Sequence, residues 1–325
     1  MVVSPRSRVD RRTLLGLGAL GVVATATGCR SEGTGAAPAA SSSPSTLAAP
    51  VETPDRRLVS ELYGDLASRT SDLEILRKRR PALRPRIRPL VALHRAHLAV
   101  LGTLLGEGSS GWFAGVNGTD LETAEASLAA ELAGAVGRAE DGAIARVLAS
   151  LAAGQAVATR VLDPTWEPAA RALAAVPDGE VDTLQGALTA EHAAVYVLGV
   201  LGGRTSAAAQ RALFAALTQA HAVHRDRRDA LTRAIAAAGA DPVAAAAGYE
   251  VAGPPTSPEG IRATAATVES AVGEQYAALV ATAPTGRRTW PAAVVCDAAL
   301  RAVALGGTPS WFPGAPELAA QAPLG

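Results

Sequence analysis

The sequence predicts an all-α protein: two consecutive four-helix bundles packed together, behind a signal peptide and a flexible tether. Three observations predict it. Beyond residue 55 the chain is rich in alanine and leucine and repeatedly sets apolar side chains at helical spacing. Eight such segments follow one another, separated by breaks rich in proline and glycine. In each set of four, a long connection separates the second segment from the third: Gly106 to Thr119 in one set, Gly239 to Pro258 in the other.

The N-terminus reads as an export address. Arg6, Arg8, Arg11 and Arg12 precede an apolar run from Leu14 to Thr27 that stops at Cys29. A membrane-spanning helix needs about 20 apolar residues, so this shorter run has the proportions of a signal peptide. Asp10-Arg11-Arg12-Thr13-Leu14-Leu15 looks like a twin-arginine signal, the general secretory route being the alternative. Ala26-Thr27-Gly28-Cys29 resembles a bacterial lipobox, whose cysteine is acylated and becomes the mature N-terminus. Residues 1–28 are therefore expected to be signal peptide, and Cys29 a lipid anchor holding the chain to the membrane on its extracytoplasmic side. Residues 29–54 are mostly Ser, Ala, Pro, Gly and Thr, too polar and small to offset the entropy of ordering, and read as a tether.

Acids and bases balance at 30 each, which argues against a general nucleic-acid binder. Cys296 is the only other cysteine, so with Cys29 acylated the mature chain holds together by its core alone.

The first helix is expected over 56–79, with Leu62, Leu66, Leu73 and Leu76 on one side. The second starts after Pro89 and stripes Leu90, His94, His97, Leu101 and Leu104. The third, 120–138, follows Asp120 as N-cap and carries Leu121, Glu125, Leu128 and Leu132. The fourth, 142–162, aligns Ile144, Leu148, Leu151 and Gln155. These make an N-terminal bundle over 55–165. Prolines 164, 168 and 177 mark a linking stretch. The fifth helix, 181–202, stripes Leu184, Leu188, Glu191 and Val195. The sixth, 206–238, stripes Phe214, Leu217, His221, His224, Arg228, Leu231 and Ile235. The seventh, 258–282, carries Glu269, Val272 and Tyr276, and the eighth, 286–305, carries Cys296 and Leu300. With Trp311-Phe312-Pro313 packing back as a tail, they make a second domain over 180–318.

The halves share pieces. His94-x-x-His97 matches His221-x-x-His224, and Thr123-Ala124-Glu125-Ala126 matches Thr267-Val268-Glu269-Ser270. With the long second-to-third connections, this is the one-crossover topology of ferritin-like bundles.

Charged groups inside apolar stripes carry the chemical question, because an unpaired buried charge costs several kcal/mol. Glu191, His221, His224 and Arg228 fall in the seams of the fifth and sixth helices, Glu269 at the edge of the seventh; His94, His97, Glu125 and Gln155 repeat the habit. Two readings stand. In one, Glu191, His221, His224 and Glu269 hold a single iron, manganese or zinc ion, a complete dinuclear set being excluded because the eighth helix offers only Cys296 and Asp297. In the other, Glu191 pairs with Arg228 and a histidine in a network that fixes helix register, with Arg228, His94, His97 and Glu125 as buried polar members. Arg77, Lys78, Arg79, Arg80, Arg84, Arg86 and Arg88 form a basic run, read as a solvated helix cap or a contact with anionic headgroups. No nucleophile elbow, His-Glu-x-x-His, CxxC or phosphate loop occurs.

Glu191-His192-Ala193-Ala194-Val195-Tyr196, His224-Arg225-Asp226-Arg227-Arg228-Asp229-Ala230-Leu231, Val268-Glu269 with Tyr276, and the closing Trp311-Phe312-Pro313-Gly314 resemble an uncharacterised ferritin-like family of high-GC Gram-positive bacteria, domain of unknown function 4439. The resemblance covers roughly residues 180–318, and departs at Gly248-Tyr249-Glu250-Val251, where a Pro-Phe-Pro-like stretch would be expected. It implies a ferritin-like fold and no particular activity. The expected function is thus a membrane-anchored ferritin-like lipoprotein, acting in binding or envelope organisation. The alternative is a metal-binding oxidoreductase or metal-storage bundle. The sequence names no protein or small-molecule partner.

Overall fold

The computed structural model describes residues 52–106, 121–162, 178–249, 251 and 255–322. Among these residues every regular element is helical: α1 Pro54–Arg79, α2 Arg84–Leu105, α3 Leu121–Arg138, α4 Gly142–Leu162, α5 Val181–Gly203, α6 Arg211–Ala237, α7 Pro258–Thr282 and α8 Thr289–Ala304. Short 3-10 turns cover Pro81–Leu83 and Pro316–Gln321. The expected signal peptide, Cys29, nearly all of the expected tether, Asp120 and the prolines of the expected central link lie outside the described residues.

Local chemistry sets the helix starts. Thr53 Oγ1 accepts from the Arg56 N–H at 3.1 Å, and Ser257 Oγ from Gly260 N–H at 3.1 Å, each satisfying a first-turn donor that has no intrahelical partner. Asp141 does the same for α4, accepting from Ala143 N–H at 2.6 Å. Helix α2 starts at Arg84, ahead of the predicted point, and Pro89 sits inside it. Pro85 lies in the first turn, where no N–H is required, and Pro89 sacrifices one bond near the start of the rod rather than at its middle. Helix α6 starts later than predicted, at Arg211, because Ser206 Oγ accepts from Ala209 N–H in a preceding turn.

The same pairings recur in both halves: first helix on second, third on fourth, first on third. The halves are also joined, since α4 packs along both α7 and α8. Gly142 permits this approach, as a Cβ there would sit 1.8 Å from the Ala281 carbonyl oxygen. One apolar cluster combines Leu66, Leu101, Leu132 and Leu148 with Val280, Ala292 and Phe312. Another combines Ala153 and Val157 with Leu188, Leu231, Tyr276 and Val295, and Cys296 packs against both. The described residues accordingly form one compact unit.

Polar pins hold the turn between α3 and α4. Asp55 accepts from the N–H groups of Glu140 and Asp141 at 2.8 and 2.7 Å, and Arg288 donates to the carbonyls of Ala139 and Ala283 at 2.5 and 2.9 Å. Helices α4 and α5 are long and apolar enough to cross a membrane by composition. Both, however, bury residues against neighbouring helices, Glu191 of α5 among them.

Candidate functional site: a buried acid–base network

In the second half, α5, α6 and α7 converge on His224, and α8 joins the network through Arg227. His224, Glu191 and Glu269 are wholly buried. His224 Nδ1 lies 2.6 Å from Glu191 Oε2 and its Nε2 lies 3.3 Å from Glu269 Oε1. An ionised carboxylate only accepts, so a ring with a carboxylate at each nitrogen satisfies both by donating from both, as an imidazolium. Burial alone would lower the His224 pKa, but the charges of Glu191 and Glu269 outweigh it and raise it to about 9.

The remaining oxygen of Glu191 accepts from the Tyr276 hydroxyl at 2.8 Å. Burial, then the adjoining Glu191 charge, holds that phenol well above its ordinary value and therefore neutral. Arg227 is buried beside this group, its guanidinium carbon 5.9 Å from the Tyr276 ring centre. It donates to Asp297 Oδ2 on α8, which also accepts from Arg301 Nε at 2.7 Å. Despite burial, Glu191 and Asp297 raise the pKa of Arg227 above its already high value. Three anions (Glu191, Glu269, Asp297) thus face three cations (His224, Arg227, Arg301). Within this network the formal charges balance when His224 is protonated.

Two sequence expectations are corrected here. Arg228 is not the interior arginine: it is partly exposed and donates to its neighbour Asp229 at 2.7 and 2.9 Å. Arg227, one residue earlier, takes the buried place, because the seam steps three residues from His224 and not four. His221 is only half-buried, beside Gly199, and does not join His224, Glu191 and Glu269. Its pKa is lowered by burial and by Arg225, His224 and Arg228.

The first half carries a smaller version. Buried His94 Nε2 lies 3.0 Å from Glu125 Oε2, and Gln155 of α4 donates to the same oxygen. His97, also buried, turns away from Glu125; its Nε2–H donates to the Trp311 carbonyl at 3.0 Å and its ring tilts against Phe312 at 5.5 Å. Burial outweighs that hydrogen bond and drops the His97 pKa to about 3, so it is neutral.

The repeat between the halves is tighter than the matched motifs suggest, and in a different register. On α2 the buried positions include Leu90, Leu93, His94, His97, Leu101 and Leu105; on α6 Ala220, Val223, His224, Arg227, Leu231 and Ile235 fall at identical spacing. On α3 and α7, Glu125, Leu128, Leu132, Ala135 and Val136 correspond to Glu269, Val272, Tyr276, Leu279 and Val280. His94 therefore answers to His224, not His221, and His97 to Arg227. Each half sets a histidine of its second helix against the glutamate of its third.

One buried oxygen of the His224 network, Glu269 Oε2, has no hydrogen-bond partner among the described residues. Both nitrogens of His224 are engaged by the carboxylates that would be co-ligands. Among the described residues no group of three or more His, Cys, Asp or Glu side chains is arranged to hold an ion. Burial and the Asp297 charge push the Cys296 thiol up to about 12.

Arg227 and Arg301 are the site residues that the stripe reading passes over. The signal for Arg227 is the three-residue step after each bonded histidine. No match is found among curated proteins or solved structures. Residues 183–317, the stretch that carries Glu191, His224, Arg227, Glu269, Tyr276, Asp297 and Arg301, match the family model of a domain of unknown function, DUF4439.

Proposed function

We propose that this chain is a membrane-anchored lipoprotein of the cell envelope that acts by binding, its ferritin-like helical bundle serving as a rigid scaffold with a structural polar core. The observation that carries this reading is His224 held between Glu191 and Glu269: a protein cation occupies the point between two facing carboxylates where a captured cation would otherwise be required. Buried charges paired this way fix the register of α5, α6, α7 and α8 at a cost in desolvation. The anchoring rests on the signal-like N-terminus and the lipobox-like Ala26-Thr27-Gly28-Cys29.

Two measurements test it. Elemental analysis of protein grown with added iron, manganese and zinc should find less than stoichiometric metal. One equivalent per chain that disappears in Glu191→Ala and His224→Ala would replace the scaffold reading with metal chemistry. Partitioning of the expressed protein between detergent and aqueous phases should place it in the detergent phase, and Cys29→Ser in the aqueous phase; unchanged partitioning would remove the lipid anchor from the account.

A further inference from the structure

Although the chain carries no net charge, its cations are not evenly spread. The end of α1, the 3-10 turn and the start of α2 present Arg77, Lys78, Arg79, Arg80, Arg84, Arg86 and Arg88 within one corner. Glu74 neutralises Arg77 at 2.5 Å and Glu122 neutralises Arg86 at 2.5 Å. Lys78, Arg79, Arg80, Arg84 and Arg88 have no carboxylate partner among the described residues, and all five are exposed. Arg77, Lys78, Arg84 and Arg88 with Pro85 line a concave cleft of about 750 Å³. Ile75, three residues before Lys78 on α1, is 43% exposed, and Pro81 and Ala82 of the 3-10 turn are exposed too.

Helix stability accounts for only half of this. Arg77, Lys78 and Arg79 complement the negative end of α1, but Arg84, Arg86 and Arg88 sit at the positive end of α2, where cations are unfavourable. The fold engages part of them, Arg84 Nε donating to the Arg77 carbonyl at 3.2 Å and Arg86 pairing with Glu122, while the other donors of Arg84 and the whole of Arg88 meet no carboxylate among the described residues and are open to an external anion.

We propose that this corner is a docking surface for anionic phospholipid headgroups, distinct from any anchor on Cys29. Guanidinium groups around an open cleft pair with phosphate in bidentate fashion. The half-exposed isoleucine and the small apolar turn beside them suit the boundary between headgroups and acyl chains. That combination favours a lipid surface over a nucleic acid, which has no apolar layer to receive Ile75.

The test uses the full chain carrying Cys29→Ser, so that no acyl chain contributes, and follows sedimentation with mixed phosphatidylcholine–phosphatidylglycerol vesicles. Lys78→Gln/Arg84→Gln/Arg88→Gln should weaken partitioning about 100-fold, roughly fivefold for each cation removed. A control with the same change in charge, Arg204→Gln/Arg211→Gln/Arg233→Gln, should leave it near the starting value. For the unsubstituted chain, added salt should release the bound protein, and phosphatidylcholine alone should bind far less. Equal partitioning by the two triple variants, or binding indifferent to salt and to phosphatidylglycerol, overturns the proposal. So does binding of duplex DNA or an acidic peptide by the corner without binding of anionic vesicles. The readout needs no acylation, so failure of the lipoprotein reading and failure of this surface are separable.

Discussion

Nδ1 of His224 lies 2.6 Å from Oε2 of Glu191, and neither residue exposes any surface. With Glu269 at the opposite nitrogen, this contact makes one histidine the hub of three helices, and makes its proton part of the fold.

The proton implies an alkaline limit. The folded His224 pKa, about 9, stands above the ordinary 6.5, so its contribution is fully present below pH 6.5 and is lost as pH rises through about 9. The shift corresponds to roughly 3 kcal/mol. Denaturant unfolding between pH 6 and 10 should show this fall, and His224→Gln should flatten it while lowering stability at pH 6.5.

His97 sets the acid limit with the opposite sign. Its folded pKa of about 3 lies below 6.5, so the unfolded chain binds the extra proton, and stability drops as pH falls from 6.5 toward 3. At pH 4 the loss from this residue should be on the order of 3 kcal/mol. His97→Gln, which keeps a donor for the Trp311 carbonyl, should lessen the acid slope and leave the alkaline one. Equal slopes in the variant and the parent would show that His97 is not the buried neutral group.

The arginine correction has a direct contrast. Arg227→Met leaves Asp297 short of a buried partner and should cost about 3–5 kcal/mol in chemical unfolding. Arg228→Ala removes only a partly exposed pair with Asp229 and should cost less than about 1 kcal/mol. A cycle with Asp297→Asn should show coupling for Arg227 and none for Arg228.

Tyr276→Phe deletes one hydroxyl that donates to Glu191 at 2.8 Å and leaves the packing against Trp290 in place. A hydrogen bond to a buried carboxylate is worth about 1.5–3 kcal/mol, the loss expected in the same assay. Removing that donor should also raise the His224 pKa, since the carboxylate must then lean more heavily on the imidazolium.

Gly154→Ala probes the docked tail. Alanine ordinarily favours a helix over glycine by about 1 kcal/mol. Here the added Cβ would lie 2.3 Å from the Trp311 carbonyl oxygen and 3.2 Å from His97 Nε2. The substitution should therefore destabilise by about 1–3 kcal/mol and expose the segment around Trp311 to limited proteolysis.

Much of this is legible in the sequence, for identifiable reasons. The eight helices show because alanine and leucine recur at helical spacing, and Glu191, His224 and Glu269 show because polar residues interrupt apolar stripes. Arg227 is hidden by its neighbours: Arg225-Asp226-Arg227-Arg228-Asp229 is charged throughout, so hydrophobic contrast cannot say which arginine faces inward. The early start of α2 is hidden because Pro85 and Pro89 both look like breaks, though only interior proline is costly. The partner of His97 is a backbone carbonyl, which has no signature in sequence. The joining of the halves through α4 depends on the Gly142 and Ala281 approach, a property of two distant positions together.

The central claim, that a protonated His224 closes a neutral network, is most directly tested by following the ring nitrogens of His224 by 15N NMR from pH 6 to 10. The account predicts two protonated nitrogens at pH 7.5 and a titration near 9 that moves down when Glu269 is replaced by glutamine. A neutral ring at pH 7.5 with a single protonated nitrogen, or a ring nitrogen shifted by a bound metal, would contradict it.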